Sequence, residues 1–346
     1  MNIGSIRPCY GCLGCLESCP EKAISSVMEN DGFLYPTVDS EKCIECGRCT
    51  DVCISGREDT LIKPMNEMFA GMTKNEEDFY KSASGGMFKV IVSSLVQFYG
   101  SQYENFYCCG CVLDNDFKAV HKIVKICDDA SVDVFSKSKY IESDFHGVLP
   151  EIRQLCNDQR NYVIVSGTPC QIAECRQFLH TEYDNVFYID LVCYGAPSQR
   201  IFDEYRKHLE KENGSKLISY EFRTKDILDN GTRYARSAKI TFSNGTVKRV
   251  SRLEDDYLQL YYEHKYIPRS SCTKCPFRNF MRVGDATIGD AWGIQNIHPQ
   301  VNPLHGCSMV MLSEKALCVN GLIRKKIHSF SFSLVSARAY SNNLGR

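Results

Sequence analysis

Residues 161–198, NYVIVSGTPCQIAECRQFLHTEYDNVFYIDLVCYGAPS, read as an apolar strand, a Gly-Thr-Pro turn, an amphipathic helix and a second apolar strand. Two apolar runs joined through a helix make a βαβ unit, so a parallel pairing within an α/β sheet is expected. The loop Ser166, Gly167, Thr168, Pro169, Cys170 and Gln171 then falls at the carboxyl edge of the sheet, where open α/β sheets bind ligands. The second run ends similarly, at Cys193-Tyr194-Gly195. Neither run is followed by GxGxxG, and no GxxxxGK followed by Ser or Thr occurs, so neither a standard dinucleotide fingerprint nor a P-loop is supported.

Working upstream, SASGGMFKVIVSSLVQFYG (82–100) places Ser82, Ser84, Gly85 and Gly86 before an apolar helix that stops at Gly100. Small residues at a helix start leave amide N–H groups free for an anion, although a simple helix cap is the plainer reading of this segment alone. ENFYCCGCVLDNDFKAVHKIV (104–124) reads as a hairpin turning at Asp114 to Asp116. Alternation sends Cys108, Cys109 and Cys111 of its first arm to opposite faces, as small strand residues rather than ligands. Downstream, 198–214 reads as a helix with a charged face, and 218–226 with 237–250 as strands around an Asn244-Gly245 turn. SSCTKCPFRNFMRVGDATIGDAWGI (270–294) carries Cys272 and Cys275 as a CxxC, then a Gly/Asp-rich strand with Asp285, Asp290 and Trp292. A lone CxxC admits half a metal site, a redox dithiol or a structural pair. A third cluster on Cys170, Cys193, Cys272 and Cys275 is one arrangement of these thiols, against looser roles for each.

Eight of the chain's twenty cysteines lie before residue 54. CYGCLGCLESCP (9–20) spaces Cys9, Cys12, Cys15 and Cys19 as CxxCxxCxxxCP, and CIECGRCTDVC (43–53) repeats it with Cys43, Cys46, Cys49 and Cys53. Three closely spaced thiolates wrap three corners of one cubane and the fourth reaches across to the other. One [4Fe-4S] cluster is therefore expected on Cys9, Cys12, Cys15 and Cys53, and a second on Cys43, Cys46, Cys49 and Cys19. Zinc favours paired CxxC units rather than a duplicated three-cysteine run with a remote fourth. Ile54 stands where a proline usually follows the last cysteine. Between the halves, AISSVMENDGFLYPTVDS (23–40) reads as two strands around Asp31-Gly32.

Lys and Arg total 41 against 42 Asp and Glu, with no dense basic run, which argues against nucleic acid as a partner. The first residues lack the basic and apolar regions of a signal peptide, and no apolar run approaches a membrane span, so a cytoplasmic protein with no membrane span is expected. Twenty cysteines in a reducing compartment are more readily metal ligands, catalytic thiols or core residues than disulfides. The expected architecture is α+β with an α/β core: a dicluster ferredoxin-like module over 1–60, a polar linker over 61–80 without clear period, and a larger α/β flavin-type domain with a mixed or parallel sheet over 81–346.

Taken together, SASGGMF, SKSKYIESD, VSGTPCQIA, IDLVCYGAPS, SCTKCPF and DATIGDAWGI resemble the beta subunit family of coenzyme F-420 hydrogenases and dehydrogenases, from Cys9 to about Trp292. The resemblance implies a flavoprotein in which FAD exchanges hydride with a small molecule and single electrons with iron–sulfur clusters and a ferredoxin or other redox partner protein. It implies a flavin pocket built from Ser82, Ser84, Gly85, Gly86, the Ser138-Lys139-Tyr140 segment, and Gly167, Thr168, Pro169, Cys170 and Gln171. Lys139 would stabilise the anionic reduced flavin, its plainer reading being a solvated surface lysine. After Gly293 the resemblance implies a longer α/β segment, whereas the tail IRKKIHSFSFSLVSARAYSNNLGR (323–346) is weakly periodic, so truncation after about residue 310 is expected. The alternative function is a non-catalytic ferredoxin-like subunit docking to a partner enzyme, as in polysaccharide biosynthesis.

Overall fold

The structure is a computed structural model that describes residues 3–228, 231, 236–264, 267–302 and 305–340. In the N-terminal module, helix α1 (Gly14–Glu17) is followed by strands β1 (Ile24–Met28) and β2 (Leu34–Val38), then by one-turn helices α2 (Arg48–Asp51) and α3 (Glu58–Leu61). The β1 and β2 strands pair antiparallel from Ile24 with Val38 to Met28 with Leu34. Asp31 closes their turn, its Oδ1 accepting from the Phe33 N–H at 3.1 Å, and Gly32 takes the positive φ of +80° that the turn requires.

The remainder builds around an eight-stranded sheet of order β13-β3-β12-β11-β7-β6-β4-β5. Its members in chain order begin with β3 (Glu67–Thr73), which leads through α4 (Glu76–Lys81) and α5 (Met87–Tyr99) to β4 (Asn105–Leu113) and β5 (Ala119–Lys125). Then come α6 (Leu149–Asn157), β6 (Asn161–Gly167), α7 (Pro169–Leu179), β7 (Val186–Leu191) and α8 (Gln199–Asn213). A separate antiparallel sheet, β8 (Leu217–Thr224), β9 (Ser237–Phe242) and β10 (Val247–Ser251), precedes α9 (Asp256–Gln259). The chain returns to the large sheet with β11 (Ala286–Asp290), β12 (Ser308–Leu312), α10 (Leu317–Lys325), β13 (Ile327–Ser331) and α11 (Leu334–Tyr340). Strands β4, β6, β7 and β11 pair parallel and every other neighbouring pair is antiparallel, so the sheet is mixed.

Central strand β6 is buried along nearly its whole length, which explains why it reads as a continuous apolar run. Its two faces serve different layers. Val163 and Val165 pack with α6, α7 and the module's Ile3, Ile24, Val52 and Ile54. Tyr162 and Ile164 pack with α5 and α10. Cys108 and Cys109 likewise enter opposite cores as small apolar side chains, both fully buried.

Two expectations need correction. The 61–80 segment is not a free linker, because Glu67–Thr73 forms β3, inserted between β12 and β13. Buried Phe69, Ala70 and Gly71 have neighbours on both faces, so the strand shows no two-residue alternation to read. After about residue 310, where truncation is expected, the chain continues as part of the large domain. The β12 strand is wholly buried, α10 covers the sheet through Val319 and Ile323, and β13 forms its edge. The sequence tail 341–346 lies outside the described residues.

Candidate functional site

The parallel strands β4, β6, β7 and β11 end on one side of the large sheet, and a cavity of about 340 Å³ opens there. Its floor is supplied by Gly110 and Cys111, by Ser166 to Thr168, by Leu191 to Ala196 and by Ile288 to Asp290. That is the carboxyl edge predicted for ligand binding. Of the twelve residues implied for the flavin pocket, Ser82, Ser84, Gly86, Ser138, Lys139, Tyr140, Gly167, Thr168, Cys170 and Gln171 line this one cavity. Gly85 and Pro169 do not line it, but they shape it. A Cβ on Gly85 would stand 2.2 Å from the Gly71 carbonyl oxygen, so the turn before α5 can press against the sheet only as glycine. Pro169 occupies the first turn of α7, where its missing N–H costs nothing.

The loops are tied together by hydrogen bonds. Gln171 Oε1 accepts from the Thr168 N–H at 3.0 Å, and its Nε2 donates to the Ser143 carbonyl and hydroxyl at 3.1 and 2.9 Å. Buried Lys225 donates to the carbonyls of Phe79 and Ser84 and to Ser82 Oγ, which fixes the Ser82–Ser84 turn. Lys139 directs its ammonium to the carbonyls of Phe135 and Ser136, at 3.1 and 2.7 Å, and also to Lys137. Burial pulls its pKa down to about 8. Lys139 is thus no solvated surface lysine, and its N–H groups hold the loop it belongs to.

Sequence reasoning missed Arg223, Tyr261 and Tyr262 among the lining residues. Arg223 forms a bidentate pair with Asp290 at 2.8 and 2.9 Å, deep in the wall. Tyr140, Tyr194, Tyr261 and Tyr262 form an aromatic side, with Tyr140 and Tyr261 rings 4.8 Å apart. The pair Tyr261-Tyr262 gave no signal because it sits in a π-helical turn, Leu260–His264, that no simple period announces.

Tyr10, Gly11 and Cys12 of the N-terminal module also line the cavity, so the module abuts the sheet edge. Tyr10 meets Phe277 edge-on, ring centroids 5.9 Å apart, and its hydroxyl is influenced by both Cys275 and Cys170. Cys170, Cys193, Cys272 and Cys275 gather beside it: Cys170 is perturbed by the other three, and Cys193 by Cys272 and Cys275. Burial pushes all four thiols up. Backbone N–H groups already address their sulfurs, Gly195 toward Cys193 at 3.3 Å, with Ala196 at Cys272 and Phe277 and Arg278 at Cys275. This donor set suits the thiolates of an iron–sulfur cluster.

Within the module, Cys15 is influenced by Cys9 and Cys53, and Cys49 by Cys19. Gly11 addresses Cys9 through its backbone, and the Ala23 N–H donates to Cys19 Sγ at 3.3 Å. Glu174 of α7 lies fully buried beside Cys12, its pKa pushed up to about 7 by burial. At the other end Cys46 is exposed, and neighbouring Ile44 is 62% exposed. Among the described residues no three His, Cys, Asp or Glu side chains converge as ligands of a single ion, and no helix is long and apolar enough to cross a membrane.

Fold and site thus define a redox protein in which an iron–sulfur module is fused to a mixed α/β domain with a ligand cavity at its sheet edge. Residues 8–56 match the 4Fe-4S dicluster domain, and residues 160–316 match the C-terminal domain of the coenzyme F420 hydrogenase/dehydrogenase beta subunit. The two matches are separate and consecutive in the chain, the dicluster match at the N-terminus and the beta-subunit match over the second half of the sheet. Among solved structures, a chain of the F420-reducing [NiFe] hydrogenase complex from Methanosarcina barkeri is similar at 14% identity and a TM-score of 0.47, covering 82% of this chain and 86% of that one. No curated protein matches.

Proposed function

We propose that this chain is an iron–sulfur flavoprotein oxidoreductase, with FAD in the sheet-edge cavity and electrons leaving through the cysteine-rich module. The observation that carries this reading is the continuous order of sites: cavity, Cys170/Cys193/Cys272/Cys275, Tyr10, then the duplicated cysteine runs. In this reading the four gathered thiols hold a third [4Fe-4S] cluster, while Cys9, Cys12, Cys15 and Cys53 hold the first. Cys19, Cys43, Cys46 and Cys49 hold the second. The exposed Cys46 and Ile44 make that last site the port toward a ferredoxin or other redox partner.

When bound, FAD accepts hydride from a small molecule and releases single electrons. The protein's part is to seat and insulate it. The start of α5, from Gly86 onward, offers backbone N–H groups to phosphate oxygens, the Ser82 and Gly85 N–H groups being taken by the Phe79 carbonyl and Ser308 Oγ. Tyr140, Tyr194, Tyr261 and Tyr262 supply flat apolar surface for a ring system. Lys139, its charge fixed by the loop carbonyls, stands as a positive group in the wall.

Anaerobically purified protein is expected to carry about one flavin per chain, seen as visible flavin bands over the cluster absorption and as FAD released on denaturation. Protein with clusters and no flavin, even after incubation with FAD, would instead make the chain an electron-transfer subunit.

A further inference from the structure

Arg269 is among the largest fully buried side chains of the protein, and its position is unusual for a cation. It stems from the segment just before Cys272, yet its guanidinium reaches into the N-terminal module. Its Nε and Nη2 donate to the two Glu142 carboxylate oxygens, both at 2.9 Å, and Nη2 also donates to the Leu34 carbonyl at 3.1 Å. The plane lies over the Phe33 and Tyr35 rings, each centroid 4.6 Å from Cζ. Gly11, inside the Cys9-Tyr10-Gly11-Cys12 loop, is bare against it: a Cβ there would stand 2.3 Å from Nη2 and 2.5 Å from Cζ. Nη1 is buried and has no hydrogen-bond partner among the described residues.

A buried, unspent donor on a cation is costly unless something accepts from it. Glu142 and the Leu34 carbonyl occupy the other N–H groups, and the Cys9 loop packs against the guanidinium through Gly11. Arg269 acts electrostatically on the Cys9 sulfur and, after Glu142, on Cys272. It is not among the groups perturbing Cys49 of the second cysteine set.

We infer that Arg269 is a potential-setting residue: its charge and its free Nη1 donor raise the reduction potential of the cluster held by Cys9, Cys12, Cys15 and Cys53, with Glu142 partly cancelling that charge. The inference rests on the cluster assignment proposed above. Net charge and hydrogen bonds to sulfur are the terms by which a protein moves a cluster's potential. Gly11 keeps the loop close enough for both terms to act.

The test is an anaerobic redox titration of the full holoprotein, followed by EPR, for wild type, Arg269→Gln, Arg269→Lys and Glu142→Gln. Arg269→Gln should make one cluster harder to reduce by at least about tenfold, equivalent to about 59 mV for one electron. A second cluster should shift by less, and the third should stay within about twofold. Glu142→Gln, which keeps the shape of the site, should move the same cluster in the opposite direction, and Arg269→Lys should restore part of the shift. A mere clamp between module and sheet would give shifts of the same sign in Arg269→Gln and Glu142→Gln, or none; either result overturns the inference while leaving the clusters in place. If Arg269→Gln loses iron, the sign of the Glu142→Gln shift decides. A wild-type protein without clusters would sink the assignment itself.

Discussion

Replacing Arg282 by alanine is expected to destabilise the protein by about 3–5 kcal/mol, the usual cost of orphaning a buried charge. Arg282 and Asp190 are essentially inaccessible to solvent and pair at 3.2 Å. Arg282 also donates to the carbonyls of Phe277, Asn279 and Leu191, at 2.8, 3.0 and 2.9 Å, and to Thr287 Oγ1 at 3.2 Å. Asp190 accepts from the Val283 and Gly284 N–H groups at 3.2 and 3.0 Å. The pair therefore knots the end of β7 to the start of β11 and to the loop just after Cys275. Alanine would leave a buried carboxylate without its counter-charge and three carbonyls without this donor. Urea unfolding under anaerobic conditions should show the loss as a lower midpoint at unchanged slope. In a double variant, Asp190→Asn with Arg282→Met, the summed single losses should not be reached, since the orphaned charge is gone. A loss below about 1 kcal/mol for Arg282→Ala would mean that the network is not closed as described.

Cys275→Ala is expected to have the largest effect on electron flow. In the proposed arrangement it removes one thiolate of the cluster between the cavity and the N-terminal module. Iron should fall by about four per chain, while flavin stays bound because Cys275 does not line the cavity. Reduction of the flavin should then no longer bleach the two remaining clusters within one turnover, as followed by stopped-flow absorbance. Cys318→Ala, an exposed cysteine far along the chain, serves as the control and should change neither quantity. Undiminished iron in Cys275→Ala would remove the third cluster from the account.

The duplicated cysteine runs were legible because each is local: spacing alone commits three thiolates to one metal group. The βαβ unit was legible because β6 and β7 are continuous apolar runs separated by a capped helix. Gathering Cys170, Cys193, Cys272 and Cys275 is different. Cys170 and Cys193 follow neighbouring parallel strands, so topology carries them to one edge, but no spacing rule relates them to a CxxC some eighty residues later. The charged residues at the junction were the least visible. Glu142, Glu174 and Arg269 sit in segments of ordinary polarity, although Glu174 and Arg269 are buried and Glu142 half-buried where the module meets the sheet. Burial there pushes Glu142 up to about 7, with Arg269 holding it down from a higher value. Strand β3 escaped for the opposite reason, since Met68 to Met72 are covered on both faces and a polar surround hid them.

Metal analysis of anaerobically purified protein tests the central claim most directly, because every later step depends on thiolates gripping cubanes rather than on the family likeness. About twelve irons per chain with matching acid-labile sulfide is the predicted result, four for each cysteine set. Zinc in those positions, or neither iron nor sulfide, would contradict the account from the first cysteine run onward.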